Sequence, residues 1–125
     1  MGRIKDLIPT EAQEQKALFE WRDYNIKRYP ALELLHAIPN GGSRNPIEGL
    51  HLKEQGVMAG IPDICLPVPS RHHTALYIEL KRRKGGRVSE AQKKVMFKLK
   101  KYGNMAVVAY GFEDAKRIIL EYLRE

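Results

Sequence analysis

Apolar positions along the chain switch between helical and strand spacing, and the switches are marked by caps, glycines and prolines. Thr10-x-x-Gln13 is a capping box for a first helix, in which Leu18, Trp21 and Asn25, with Ala17 and Tyr24 beside them, form a stripe that ends before Pro30. Residues 34–38 are a short apolar run, read as a first strand and broken by Pro39-Asn40-Gly41-Gly42. Asn45 as N-cap and Pro46 as first helical residue open a second helix. It runs to about Gln55, with Gly56 in the left-handed conformation that stops it. Ile47 and Leu50 are among its few apolar residues, so it is expected to be half exposed. Residues 63–68 and 76–81 then flank Ser70-Arg71-His72-His73, which is a hairpin pattern. Pro67 and Pro69 limit pairing at the far end of its first strand. Ser89-x-x-Gln92 is a second capping box, opening a helix whose Gln92, Met96 and Leu99 share a face turned toward the sheet, and Gly103 closes it. Residues 105–110 read as a further core strand. Residues 112–123 read as a last amphipathic helix, with Ala115, Ile118, Ile119 and Tyr122 at helical spacing.

The resulting order is helix, strand, helix, strand, strand, helix, strand, helix. It predicts an α/β fold with a central mixed sheet of about four strands flanked by helices, since a hairpin rules out a purely parallel sheet. With 125 residues and no repeat or linker, the whole of 1–125 is expected to be one domain. An apolar fraction of 43% is enough to fold. No apolar run approaches the roughly 20 residues of a membrane span, and the first residues lack the apolar core of a secretory signal. The single cysteine, Cys65, falls in a predicted core strand, which suits a reducing, cytoplasmic compartment.

Charge changes the picture at one place. The net charge is +7, and residues 81–101 carry ten Lys or Arg against one acid, Glu90. Taken alone, that run is explained by a solvated helix face. Beside candidate chemistry it is the electrostatic footprint expected for a phosphate backbone.

That chemistry lies on the hairpin. Along the second strand Leu76, Ile78 and Leu80 face one way and Tyr77, Glu79 and Lys81 the other, with Glu79 and Lys81 ~7 Å apart. Asp63 and Glu79 are equidistant from Arg71, so a hairpin centred there sets the two carboxylates opposite each other, Cβ atoms about 5 Å apart. Such a pair repels unless a cation sits between. Hard oxygen ligands at that spacing suit Mg²⁺ or Mn²⁺. Lys81 beside the metal would orient or deprotonate a water, or offset charge on a phosphate. An isolated Glu-x-Lys is explained better by an ion pair on a solvated strand; the whole set of Asp63, two apolar strands and the helix carrying Gln92 is what points to chemistry. The histidines of the hairpin tip face no third ligand, and no Cys/His set suits structural zinc.

Pro62-Asp63 followed by Glu79-Leu80-Lys81 resembles the PD-(D/E)xK nuclease signature. A wider series resembles its virus-type replication-repair nuclease (VRR-NUC) branch. The pieces are Ile38-Pro39-Asn40-Gly41-Gly42, Leu52-Lys53-Glu54-Gln55-Gly56, Gly60-Ile61-Pro62-Asp63, Ile78-Glu79-Leu80-Lys81, Gly86-Arg87-Val88-Ser89 and Gln92. The resemblance implies a restriction-endonuclease-like fold and a metal-dependent DNA endonuclease with Asp63, Glu79, Lys81 and Gln92 as catalytic residues. Asp63 and Glu79 would be metal ligands, with the Leu80 carbonyl completing the shell. A first-helix glutamate would assist: Glu11 fits the family pattern best, Glu14 is close behind and Glu20 follows. Gln92 would orient water or phosphate in addition to capping its helix. Arg44, Lys93 and Lys94 are candidate DNA contacts. Branched or junction DNA, cut by a Holliday-junction-resolvase-like homodimer in phage or viral replication, recombination or repair, is the implied setting, with no nucleotide cofactor. The alternatives are a non-catalytic DNA-binding module on the same fold and, ranked below it, an RNA-binding protein.

Overall fold

A computed structural model describes residues 7–39 and 46–125. Arg44, the Asn40-Gly41-Gly42 loop and the expected Asn45 cap lie outside the described residues. Thr10 caps α1 (Glu11–Asn25), a 3₁₀ turn covers Pro30–Leu34, and β1 (His36–Ala37) precedes α2 (Pro46–Glu54). The hairpin is β2 (Ile64–Leu66) and β3 (Leu76–Lys81), followed by α3 (Glu90–Lys101), β4 (Met105–Tyr110) and α4 (Phe112–Arg124).

The four strands lie in the order β1-β2-β3-β4. Both β1–β2 and β2–β3 are antiparallel, whereas β3–β4 is parallel and is connected through α3. This is the expected mixed α/β sheet. Two strands are shorter than the apolar runs suggested. Pro30 starts a 3₁₀ turn that absorbs Leu34, leaving only His36–Ala37 paired as β1. Ile38 still donates its N–H to the Asp63 carbonyl at 2.7 Å. In β2, Pro67 has no N–H to pair, and the Val68 N–H turns back to the Leu66 carbonyl, so the strand ends at Leu66 rather than 68. Pro46 does begin α2, but this helix buries no residue and leaves Ile47 and Leu50 exposed, more open than the half-exposed helix expected.

The sheet has two unlike faces. Ile64, Leu66, Leu76, Ile78 and Leu80 pack with Leu18, Ile118, Ile119 and Tyr122 of α1 and α4 into the main core. Each such fully buried aliphatic side chain contributes roughly 2 kcal/mol through removal from water. Because side chains alternate, Asp63, Cys65, Tyr77, Glu79 and Lys81 are sent to the other face. There α3 closes over the strands and buries Met96 as its own anchor.

Candidate active site

The hairpin register is Ile64 opposite Ile78, Cys65 opposite Tyr77 and Leu66 opposite Leu76. Continued by one residue, it sets Asp63 against Glu79, as the symmetry about Arg71 required. Asp63 sits just before β2 and is only half buried. Its Oδ2 accepts the Leu80 N–H at 2.8 Å, which fastens the carboxylate to β3. In a strand the N–H and C=O of one residue turn to the same edge, so the Leu80 carbonyl also faces the Asp63 side.

Glu79 is 2% exposed. Its Oε1 accepts from Gln92 Nε2 at 2.9 Å and lies 3.6 Å from Lys81 Nζ. Its Oε2 is buried without a hydrogen-bond partner. A buried carboxylate oxygen left bare is costly. Burial, reinforced by the Asp63 carboxylate nearby, raises the Glu79 pKa to about 8, with Lys81 pulling the other way. Ionised, Oε2 finds no donor.

Lys81 is 8% exposed, and its flank is closed by Gly86. A Cβ at Gly86 would lie 2.9 Å from Lys81 Cβ, so this glycine lets the basic loop after β3 fold back on the lysine stem. Gln92 does two things at once. It forms the capping box with Ser89, and its free amide nitrogen bridges to Glu79.

Those four residues, Asp63, Glu79, Lys81 and Gln92, are therefore brought together. Glu11 is not. It is exposed in the first turn of α1, and among the described residues no group of three His, Cys, Asp or Glu stands ready to hold a metal. Glu20 is exposed as well. The buried acid of α1 is Glu14, 2% exposed. Its two oxygens take Arg83 Nε at 2.9 Å and Nη2 at 3.2 Å. Arg82 donates to the Ile8 and Pro9 carbonyls. The two arginines following Lys81 thus tie the end of β3 to the start of α1. Sequence reasoning missed this clasp; adjacent arginines after a strand were its only local sign.

Lys93 and Lys94 are exposed on α3, with Lys93 Nζ 3.2 Å from Glu90. They follow Gln92 directly in sequence, but residues one and two apart on a helix do not share its face.

Oxygen ligands suit this cluster. Two carboxylates and an adjacent carbonyl edge match the habit of Mg²⁺ or Mn²⁺, which takes few protein oxygens and retains waters. The bare Glu79 Oε2 is the atom that a cation would satisfy.

The chain matches the family model described as the VRR-NUC domain over residues 2–113. Among solved structures it is similar to one described as a VRR_NUC domain protein, with a TM-score of 0.78 and 27% identity, covering 94% of this chain and 90% of that one. No curated protein sequence matches it.

Proposed function

Because the chain belongs to the VRR-NUC family, a nuclease-type family, we propose that it is a divalent-metal-dependent DNA endonuclease acting on branched or junction DNA, in phage or viral replication, recombination or repair. The observation that carries this reading is the buried Glu79 carboxylate with one oxygen bare, opposite Asp63 and beside Lys81. A module that only bound DNA would gain nothing from burying an acid against the face that must receive phosphate.

Asp63 and Glu79 would hold the metal, with the Leu80 carbonyl on the same edge. A metal held there supplies Lewis-acid polarisation of the phosphate and acidifies water. Leu80 N–H orients Asp63, and Gln92 orients Glu79 by occupying Oε1 and leaving Oε2 for the cation. Lys81, enclosed by its strand and by Gly86, directs its ammonium to the Glu79 edge, where it orients the attacking water and offsets phosphate charge. Lys93 and Lys94 would take the DNA backbone, positioning it without reading bases. A two-fold homodimer is the natural partner arrangement, since paired sites can cut two strands of a symmetric junction.

Lys81→Ala separates chemistry from binding. It should abolish cleavage while leaving DNA affinity within a factor of about three. Parallel loss of both would make Lys81 a binding residue and remove it from this mechanism.

A further inference from the structure

Three residues before Asp63, the chain passes so close to the start of α3 that no side chain fits. Gly60 has φ +86°, and a Cβ there would stand 2.6 Å from the Ala91 carbonyl oxygen, 2.7 Å from its carbon and 3.0 Å from the Gln92 nitrogen. All three are backbone atoms, so no rotamer change relieves the clash. The backbone they belong to is itself fixed. The Gln92 N–H is held by Ser89 Oγ at 3.1 Å, the Lys93 N–H by the Ser89 carbonyl, and the Gln92 side chain by Ser89 and Glu79. On the other side buried Pro62 stiffens the link from Gly60 to Asp63, whose carbonyl and carboxylate are both engaged.

We infer that Gly60 is a positioning residue, whose bare backbone seats the Asp63 loop on the first turn of α3 and so fixes Gln92, and through it Glu79, against Asp63. The inference rests on the nuclease reading only for its catalytic consequence. Any side chain at position 60 must push apart the two segments that supply Asp63 and Gln92.

The molecule contains its own controls. Gly56 (φ +96°) has nothing within 4 Å of a built Cβ, and Gly103 (φ +90°) meets only Thr74 side-chain atoms at 3.7 Å. Gly56→Ala and Gly103→Ala therefore carry the backbone strain of a positive φ without the clash. Gly60→Ala carries both. Should Gly60→Ala fail to fold, Gly60→Asn retains the clash with the L-residue type that tolerates positive φ most readily.

Two readouts are needed. The Gln92 side-chain NH₂ resonances of the ¹⁵N-labelled protein report its bond to Glu79, and Mn²⁺ calorimetry reports the carboxylate pair. For Gly60→Ala or Gly60→Asn the Gln92 resonances should shift and exchange faster, and Mn²⁺ affinity should fall on the order of tenfold or more, as for loss of a partner that orients a ligand. Both controls should keep wild-type resonances and affinity within a factor of about two. On junction DNA, kcat should fall for the Gly60 variants while KM stays within about threefold. Unchanged Gln92 resonances in a folded Gly60 variant, or equal changes in the controls, would overturn the inference. A wild-type protein that neither binds Mn²⁺ nor cuts DNA would overturn the nuclease reading instead, and the Gln92 resonances would still judge Gly60.

Discussion

Thr10 and Gln13 open α1 with the same pair of hydrogen bonds by which Ser89 and Gln92 open α3. In each the glutamine Oε1 receives the N-cap N–H at 2.8 Å, and the N-cap hydroxyl receives the glutamine N–H at 3.1 Å. Gln13 stays exposed. Gln92 is half buried and spends its amide nitrogen on Glu79. The local motif is the same; what differs is the surface beneath it. Both helices pack on the sheet, α1 on its apolar face and α3 across the face that carries Asp63, Glu79 and Lys81. A capping residue becomes part of a site when the crossover between parallel strands lays its helix end over buried charge.

Removing that charge should have the largest effect and test why the two caps differ. Asp63→Asn should lower metal-dependent cleavage on the order of a thousandfold and abolish the Mn²⁺ heat in calorimetry; a titration like wild type would remove Asp63 as a ligand. Next in size is the glutamine itself. Gln92→Ala should cost about ten- to a hundredfold in metal affinity or activity, whereas Gln13→Ala should cost about 1 kcal/mol of stability or less and leave cleavage alone. Equal losses of activity would erase the contrast between the two helix starts.

A smaller effect is on stability against pH in chelator. Glu79 has a folded pKa of about 8 against an ordinary value of 4.5, raised by burial and by Asp63. The folded state therefore keeps a proton that the unfolded chain has released. Its stabilising contribution is complete below about 4.5 and is lost as pH rises to about 8. Thermal melts across that window should show the decline, and Glu79→Gln should flatten it. Parallel slopes for the two proteins would assign the decline to other groups. The smallest expected effect is electrostatic. Reversing charge at Lys93 and Lys94 should reduce the slope of log affinity against log salt by about two, and an unchanged slope would put the DNA on another face.

Much of this was legible in the chain because it depends on short-range rules. Both capping boxes, the glycine stop at Gly103 and the alternation along β3 follow from neighbours within four residues. The Asp63–Glu79 pairing was legible too, since hairpin register is symmetric about its tip. Pro67 signals limited pairing in the chain, and its missing N–H ends the strand sooner than the apolar run implies. The reach of the 3₁₀ turn from Pro30 was hidden because Leu34 and Leu35 suit a short apolar strand equally well. The surroundings of the α1 acids were hidden for another reason. Glu11 fits a local pattern and is exposed, whereas the buried acid, Glu14, is paired with Arg83, 69 residues away. No periodicity encodes an ion pair between chain segments so far apart. Gly60 is the same kind of case: its conformation is local, but what it touches is set by the fold.

The most direct measurement is cleavage of labelled four-way junction and linear duplex by the purified protein in Mg²⁺, Mn²⁺ or chelator, with Asp63→Asn alongside. Metal-dependent cutting is expected, stronger on the junction and absent in the variant. Binding without cutting in either metal, or cutting that survives in chelator or in Asp63→Asn, would contradict it.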